Sequence, residues 1–83
     1  MYLARVHVTL KPTVNDPQGQ TVLGGLKSMG FSSVQSVRMG KYLELKMDDS
    51  SQELAQERIS QMCRQLLANM VIEDYSFELE ETA

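Results

Sequence analysis

From Tyr2 to Leu10 every second residue is apolar, and the residues between them are mostly polar, which is the period-2 pattern of a strand with one buried face. The apolar positions of this segment are Tyr2, Ala4, Val6, Val8 and Leu10. The same alternation returns near the end of the chain, where polar residues separate Tyr75, Phe77 and Leu79. We therefore expect a first strand from Tyr2 to Leu10 and a last strand that contains residues 75–79.

A helix is predicted after the first strand. Asp16 can accept hydrogen bonds from the free N–H groups of a first helical turn, and Pro17 suits that turn because it has no N–H. Gly30 supplies the left-handed residue that commonly ends a helix. Gly24 and Gly25 each cost about 1 kcal/mol relative to Ala inside a helix, so they indicate either a close packing contact or a frayed segment. The apolar positions with helical spacing are Val22, Leu23, Leu26 and Met29.

The middle of the chain predicts a hairpin of two short strands, residues 34–39 and residues 41–47, with Gly40 at the turn or bulge. Its register would pair residues across the two strands as Val34 with Leu45, Ser36 with Leu43, and Val37 with Tyr42. Arg38 would then lie beside Lys41, and two like charges in such a position favour an acidic partner.

A second helix is predicted by a capping box in which Ser50 and Glu53 bond to each other's backbone N–H groups. An apolar stripe of about four turns follows, and Asn69 is a plausible stop. The stripe consists of Leu54, Ile59, Met62, Cys63, Leu66, Leu67 and Met70.

The resulting order, β-α-β-β-α-β, predicts an α+β fold of the ferredoxin-like kind. In this two-layer arrangement an antiparallel sheet carries both helices on one face, and residues 1–83 form a single domain. The other face would keep an apolar patch that suits contact with another copy of the chain. Its residues are Leu3, His7, Val37 and Tyr42, and the alternative is a set of scattered surface apolar residues.

The composition of the chain argues against several classes of function. The formal net charge is −3 and the basic residues are scattered, which argues against a nucleic-acid partner. The single Cys63 cannot form an internal disulfide, and no apolar run reaches the length of a signal peptide or a membrane span. We expect a soluble cytoplasmic protein.

Catalytic chemistry is not indicated. His7 is the only histidine and has no nucleophile near it in the sequence, and Cys63 lies on an apolar stripe where a small buried hydrophobe is expected. The acidic runs lack the spacing of a calcium loop, and there is no phosphate-binding glycine motif. We expect no catalytic residue, metal site or cofactor site in this chain. An alternative function, a ligand-binding regulatory domain of the ACT type, is compatible with the predicted topology, which is its only support.

Several segments, taken in order, resemble the PurS family. They are Val8-Thr9-Leu10-Lys11, Asp16-Pro17-Gln18-Gly19, Gly30-Phe31, Val37-Arg38-Met39-Gly40-Lys41-Tyr42-Leu43-Glu44-Leu45, Cys63-Arg64-Gln65-Leu66-Leu67-Ala68-Asn69 and Val71-Ile72-Glu73-Asp74-Tyr75. The resemblance spans essentially the whole chain. Asn15 and Met70 depart from the family pattern, where an apolar residue and a proline are common.

This resemblance implies a non-catalytic subunit of phosphoribosylformylglycinamidine synthase, an ATP-dependent ligase of purine biosynthesis that takes ammonia from glutamine. The subunit would bridge the glutaminase and synthetase subunits, assist ammonia transfer, and form a homodimer or tetramer. ATP and magnesium would belong to the synthetase subunit. The implied contact residues are Arg38, Lys41, Asp16 and Gln18.

Overall fold

The computed structural model describes residues 1–82 as three strands, two α-helices and one π-helical turn. Along the chain these elements are β1 (Tyr2–Leu10), α1 (Pro17–Ser28), β2 (Gly40–Met47), α2 (Gln52–Met62), the π turn (Cys63–Leu67) and β3 (Glu73–Glu81).

The sheet is antiparallel, with strand order β2-β1-β3, so the first strand of the chain is the central one. The even-numbered residues of β1 face one side, where Val6 lies between Leu43 of β2 and Phe77 of β3. We call this side the inner face. Because directly paired residues share a face, the alternation predicted for β1 and β3 places their apolar residues together.

The core lies between the inner face and α2. Ile59 and Cys63 are fully buried against Val6 and Val8 of the central strand, and Ala55 is also buried. The partly buried residues around this core are Leu43, Leu45, Leu67, Tyr75, Phe77 and Leu79. The α+β class and the antiparallel sheet agree with the prediction from sequence, and the arrangement is consistent with the ferredoxin-like kind.

Residues 11–39, which we call the arm, leave the sheet between β1 and β2 and contain α1. The radius of gyration is 16.3 Å, whereas a compact chain of this length has about 12 Å. The principal dimensions are 50 × 29 × 14 Å, although a nine-residue strand spans only about 30 Å. Contacts of α1 with the other elements are sparse. The arm therefore extends the molecule instead of adding to its core.

The start and end of α1 follow the sequence prediction. Asp16 is the N-cap, Pro17 is in the first turn, and Gly30 has φ of 99°. The N–H of Phe31 donates to the carbonyl of Leu26 at 3.0 Å, which closes the C-terminal turn as expected.

The predicted hairpin is wrong. Residues 34–39 are not a strand, and β2 pairs with β1, so that Leu45 faces Ala4 and Tyr42 faces His7. The physical reason is twofold. Pairing with the central strand buries the apolar set of β2 on the same face as that of β1, and the end of the arm is held by polar contacts with residues 11–16.

The second helix differs in two details. Its cap is Ser51, whose hydroxyl accepts from the N–H of Leu54 at 3.2 Å, instead of Ser50. After Met62 the backbone widens into the π turn, closed by the N–H of Ala68 donating to the carbonyl of Cys63 at 2.9 Å. This extra residue rotates the apolar stripe, and Leu66 is consequently 82 % exposed instead of buried.

Candidate partner interface

The base of the arm is closed by the carboxylate of Asp16. One oxygen, Oδ1, accepts from the N–H of Gly19 at 3.0 Å and thereby caps α1. The other, Oδ2, accepts from the N–H of Met39 at 2.7 Å, at the far end of the arm. These two hydrogen bonds hold the pKa of Asp16 below its usual range, helped by the nearby charge of Arg38 and opposed by burial. A single side chain thus joins both ends of the arm.

Arg38 makes the second connection at this base. Its Nη2 donates to the carbonyl oxygens of Lys11 and Val14, each at 2.9 Å. Both carbonyls belong to the segment that leaves β1, whereas Arg38 belongs to the segment that enters β2. The guanidinium therefore connects the segment that leaves β1 to the segment that enters β2.

Two glycines allow the backbones to approach at this base. A Cβ on Gly19 would lie 2.3 Å from the carbonyl oxygen of Val37, and a Cβ on Gly40 would lie 2.4 Å from that of Val8. Neither position has room for a side chain. We call the group formed by Asp16, Gly19, Arg38 and Met39 the clasp.

A groove beside the clasp collects three of the four contact residues implied by the resemblance, namely Asp16, Gln18 and Lys41. Lys41 extends across it, with Nζ 3.6 Å from Oε2 of Glu73 and 3.5 Å from the carbonyl oxygen of Leu67. Asp16 is buried, and the other two are exposed. The groove is lined by Val8, Leu10, Asp16, Gln18, Met39, Gly40, Lys41 and Glu73.

Arg38 and Lys41 are not the cross-strand pair that the hairpin predicted, because that hairpin does not form. Lys41 lies opposite Val8 and pairs with Glu73, while Arg38 bonds to backbone carbonyls and lines a separate concavity with Asp74. Their charges are thus satisfied within the chain, and repulsion between them does not call for an acidic partner.

The side of the sheet opposite α2, the outer face, carries three of the four predicted oligomer residues. Leu3, His7 and Tyr42 all lie there, and the rings of His7 and Tyr42 are 5.0 Å apart between centroids. Val37 lies apart from them, in the arm. The outer face is mostly polar, since the other residues on it are Arg5, Thr9, Glu44, Lys46, Asp74, Ser76, Glu78 and Glu80.

The arm presents apolar side chains that the chain itself does not cover. The exposed fractions are 40 % for Val22, 74 % for Met29 and 52 % for Phe31. Between residues 17 and 39 there is no Asp or Glu, while Lys27 and Arg38 are basic. The arm is thus an apolar and weakly basic surface. It is attached to residues 1–10 and 40–82, which we call the body and which carry most of the acidic residues.

Reasoning from the sequence missed the close backbone contacts at Gly19 and Gly40 and the hydrogen bond from the N–H of Met39 to Asp16. Gly19 carried a usable signal, because a glycine in the first turn of a helix is unfavourable unless something occupies the space of its side chain. The exposure of Leu66 gave no such signal in the sequence, because it depends on the π turn.

Two kinds of feature are absent from residues 1–82. They contain no helix long and apolar enough to cross a membrane. In the same part of the chain, no three His, Cys, Asp or Glu side chains are grouped so that they could hold a metal ion.

Comparison with known families decides the assignment. The family model described as PurS: Phosphoribosylformylglycinamidine (FGAM) synthase matches residues 3–81. The chain belongs to the PurS family. A PurS chain from Bacillus subtilis, described as a phosphoribosylformylglycinamidine synthase subunit, is 49 % identical over 81 residues, which cover 98 % of this chain and 95 % of the relative.

Solved structures agree with the PurS assignment. The crystal structure of Methanocaldococcus jannaschii PurS, described as a subunit of formylglycinamide ribonucleotide amidotransferase in purine biosynthesis, superposes with a TM-score of 0.89 at 36 % identity and full coverage of both chains. A chain in the structure of PurLQS from Thermotoga maritima gives a TM-score of 0.85 at 27 % identity, over 96 % of this chain and 99 % of that one.

The resemblance inferred from the sequence is therefore confirmed. As a PurS chain, the protein is a subunit of phosphoribosylformylglycinamidine synthase, a ligase of purine biosynthesis. Nothing in these comparisons supports the ACT-type alternative.

Proposed function

We propose that this chain acts by holding the glutaminase subunit of the synthase against the synthetase subunit, and by shielding ammonia as it passes between them. The observation that carries the proposal is the uncovered apolar arm on a chain whose relative is found in a PurLQS structure. Exposed apolar surface of this kind is typical of a site that binds another protein.

The amount of exposed surface supports assembly. The accessible surface of the chain is 5954 Å², whereas a compact protein of this mass exposes about 5,000 Å². The excess is roughly 950 Å², and an interface of ordinary size covers about 800 Å² on each partner. One interface would thus remove the surplus.

The first partner we propose is a second copy of the chain, giving a homodimer, with the tetramer as the next assembly. The arm is apolar and free of carboxylates between residues 17 and 39, and the acidic residues lie outside that range. Charge complementarity therefore favours contact between the arm of one copy and the body of another. The outer-face residues Leu3, His7 and Tyr42, together with Val37, stay the predicted oligomer contacts.

Gln18 and Lys41 are the best placed of the proposed contacts with the other subunits, because both are exposed at one groove. Arg38 and Asp16 belong to the same proposed set, although Asp16 is only 3 % exposed. Residues 1–83 would act as one PurS-like domain in the cytoplasm. ATP and magnesium would be bound by the synthetase subunit, with no cofactor in this chain.

The test is reconstitution with the purified synthetase and glutaminase subunits. Light scattering after size exclusion should give a dimer for the chain alone and a larger complex for the mixture. Omission of the chain should abolish glutamine-dependent turnover and leave ammonia-dependent turnover, because ammonia from solution needs no bridge. A monomer that joins neither subunit, or glutamine-dependent turnover without the chain, would contradict the proposal.

A further inference from the structure

The clasp has a geometry that direct contact with a partner does not explain. Asp16 is 3 % exposed and both of its carboxylate oxygens accept backbone N–H groups of its own chain. A carboxylate in that state has little to offer a partner protein. Its bonds connect the first turn of α1 with Met39, which directly precedes β2.

Arg38 connects the same two ends of the arm, but here the side chain belongs to the segment that enters β2 and its partners belong to the segment that leaves β1. Its Nη2 bridges the carbonyls of Lys11 and Val14, so the outgoing and returning segments of the arm are joined twice within a few residues. The close approach of Gly19 to Val37 adds a steric stop. A loop held at both of its ends by charged hydrogen bonds and by backbone contact has a defined direction.

Beyond this base, few contacts fix α1 in position. Its contacts with the sheet are sparse, and a Cβ on Gly24 or Gly25 would meet nothing within 4 Å beyond the backbone of the helix itself. The orientation of the arm relative to the sheet therefore depends on the clasp.

We propose that Asp16 and Arg38 are positioning residues, which fix the direction of the arm so that its apolar surface meets a second copy in one geometry. This inference rests on the proposed assembly function. It gives these two residues a role within the chain, whereas the family resemblance implied a role in contact with other subunits.

The direction of the arm is measured in the isolated chain by distances between two spin labels. The labels are placed on Ser32→Cys in the arm and Gln56→Cys on α2, both exposed positions. The native Cys63 is fully buried, so its thiol is shielded from the labelling reagent. Labelled protein is diluted into a large excess of unlabelled chain, so that only distances within one copy are recorded.

The variants Asp16→Asn and Arg38→Gln should broaden the distance distribution and weaken self-association about tenfold, as measured by analytical ultracentrifugation. Asn keeps the size of Asp but replaces one acceptor oxygen with an NH₂ group, so one of the two bonds is lost. The double variant should weaken self-association by less than the product of the two single fold-changes, because both side chains act through one clasp.

Arg64→Gln is the matched control, because it makes the same change as Arg38→Gln outside the arm. Arg64 is an exposed residue of the π turn whose side chain makes no hydrogen bond or ion pair within residues 1–82, so its variant should match the unaltered protein in both measurements. If Asp16→Asn does not fold, the exposed Arg38→Gln still decides the question.

Two outcomes would overturn the inference. Loss of self-association with an unchanged distance distribution would make Asp16 and Arg38 contact residues. A broadened distribution with unchanged self-association would show that the direction of the arm is irrelevant. If the unaltered chain itself did not associate, the proposed function would fail, and the distances would still report whether the clasp orients the arm.

Discussion

The body of the molecule and the arm are stabilised in different ways. In the body, α2 and the inner face of the sheet bury Ile59, Cys63, Val6 and Val8 completely. The arm buries no large side chain of α1, and its shape depends on a few polar bonds at the base. The first region contains its own core, and the second presents apolar surface to its surroundings.

This difference separates folding from assembly within one short chain. Substitutions in the body should change the free energy of unfolding, because they remove buried contacts. Truncation of exposed apolar side chains in the arm should leave that free energy nearly unchanged and weaken association. The comparison fails if the two regions respond alike.

The largest effect is expected for Ile59→Ala, which removes a fully buried side chain from the body. The loss of burial and the remaining cavity should lower the free energy of unfolding by about 2–5 kcal/mol, as measured by urea denaturation of dilute protein. Val22→Ala is the arm counterpart, since Val22 is 40 % exposed. Its cost in the dilute chain should stay within about 0.5 kcal/mol, while self-association weakens. Equal losses in the two variants would erase the distinction.

The next effect compares two glycines of α1. Gly19→Ala should destabilise the chain by about 1–3 kcal/mol, because the new Cβ would lie 2.3 Å from the carbonyl oxygen of Val37. The Cβ of Gly24→Ala would meet no group within 4 Å other than the backbone of its own helix, so this change should stabilise the monomer by about 1 kcal/mol through helix propensity. Thermal unfolding at low concentration measures both. If Gly24→Ala weakens the dimer, the partner packs closely against that glycine. If Gly24→Ala strengthens the dimer, there is no such contact.

The smallest effect is a pH dependence at the clasp. The pKa of Asp16 is lowered by folding, so the unfolded chain binds a proton more tightly, and the stabilisation by its carboxylate is present above the unfolded pKa. That stabilisation is lost as the pH falls through the lower folded pKa. The difference in melting temperature between the unaltered chain and Asp16→Asn should thus be constant from pH 7 to about pH 5 and narrow below about pH 4. A difference that stayed constant down to pH 2 would exclude the Asp16 carboxylate as its source.

The sequence was sufficient for the elements with strong local signals. The alternation in β1 and β3, the Asp16-Pro17 start of α1 and the left-handed Gly30 all lie where the residues predict them. These features depend on neighbouring residues, which a sequence shows directly. The family resemblance implies a contact role for Asp16, Gln18 and Lys41, which stays a prediction, and the structure places the three residues at one groove.

Features that depend on distant residues could not be predicted in the same way. Residues 34–39 have a strand-like pattern, yet Met39 bonds to a side chain 23 positions earlier and β2 pairs with β1. The apolar spacing that favoured Leu66 as a core residue continues unbroken through the π turn, where the backbone changes its phase. Local propensity predicts neither the pairing of β2 with β1 nor the π turn.

The sheet order also bears on how the chain folds as it is synthesised. The central strand is made first, but β3 becomes available only after residues 73–81 have left the ribosome, and the N–H of Thr82 then bonds to the carbonyl of Met1. The pairing of β1 with β3, in which Tyr2 lies opposite Glu81, joins residues that are far apart in the sequence, and such contacts slow folding. Until that moment one edge of β1 has no partner strand, and an unpaired edge beside apolar surface makes an incomplete chain prone to aggregation.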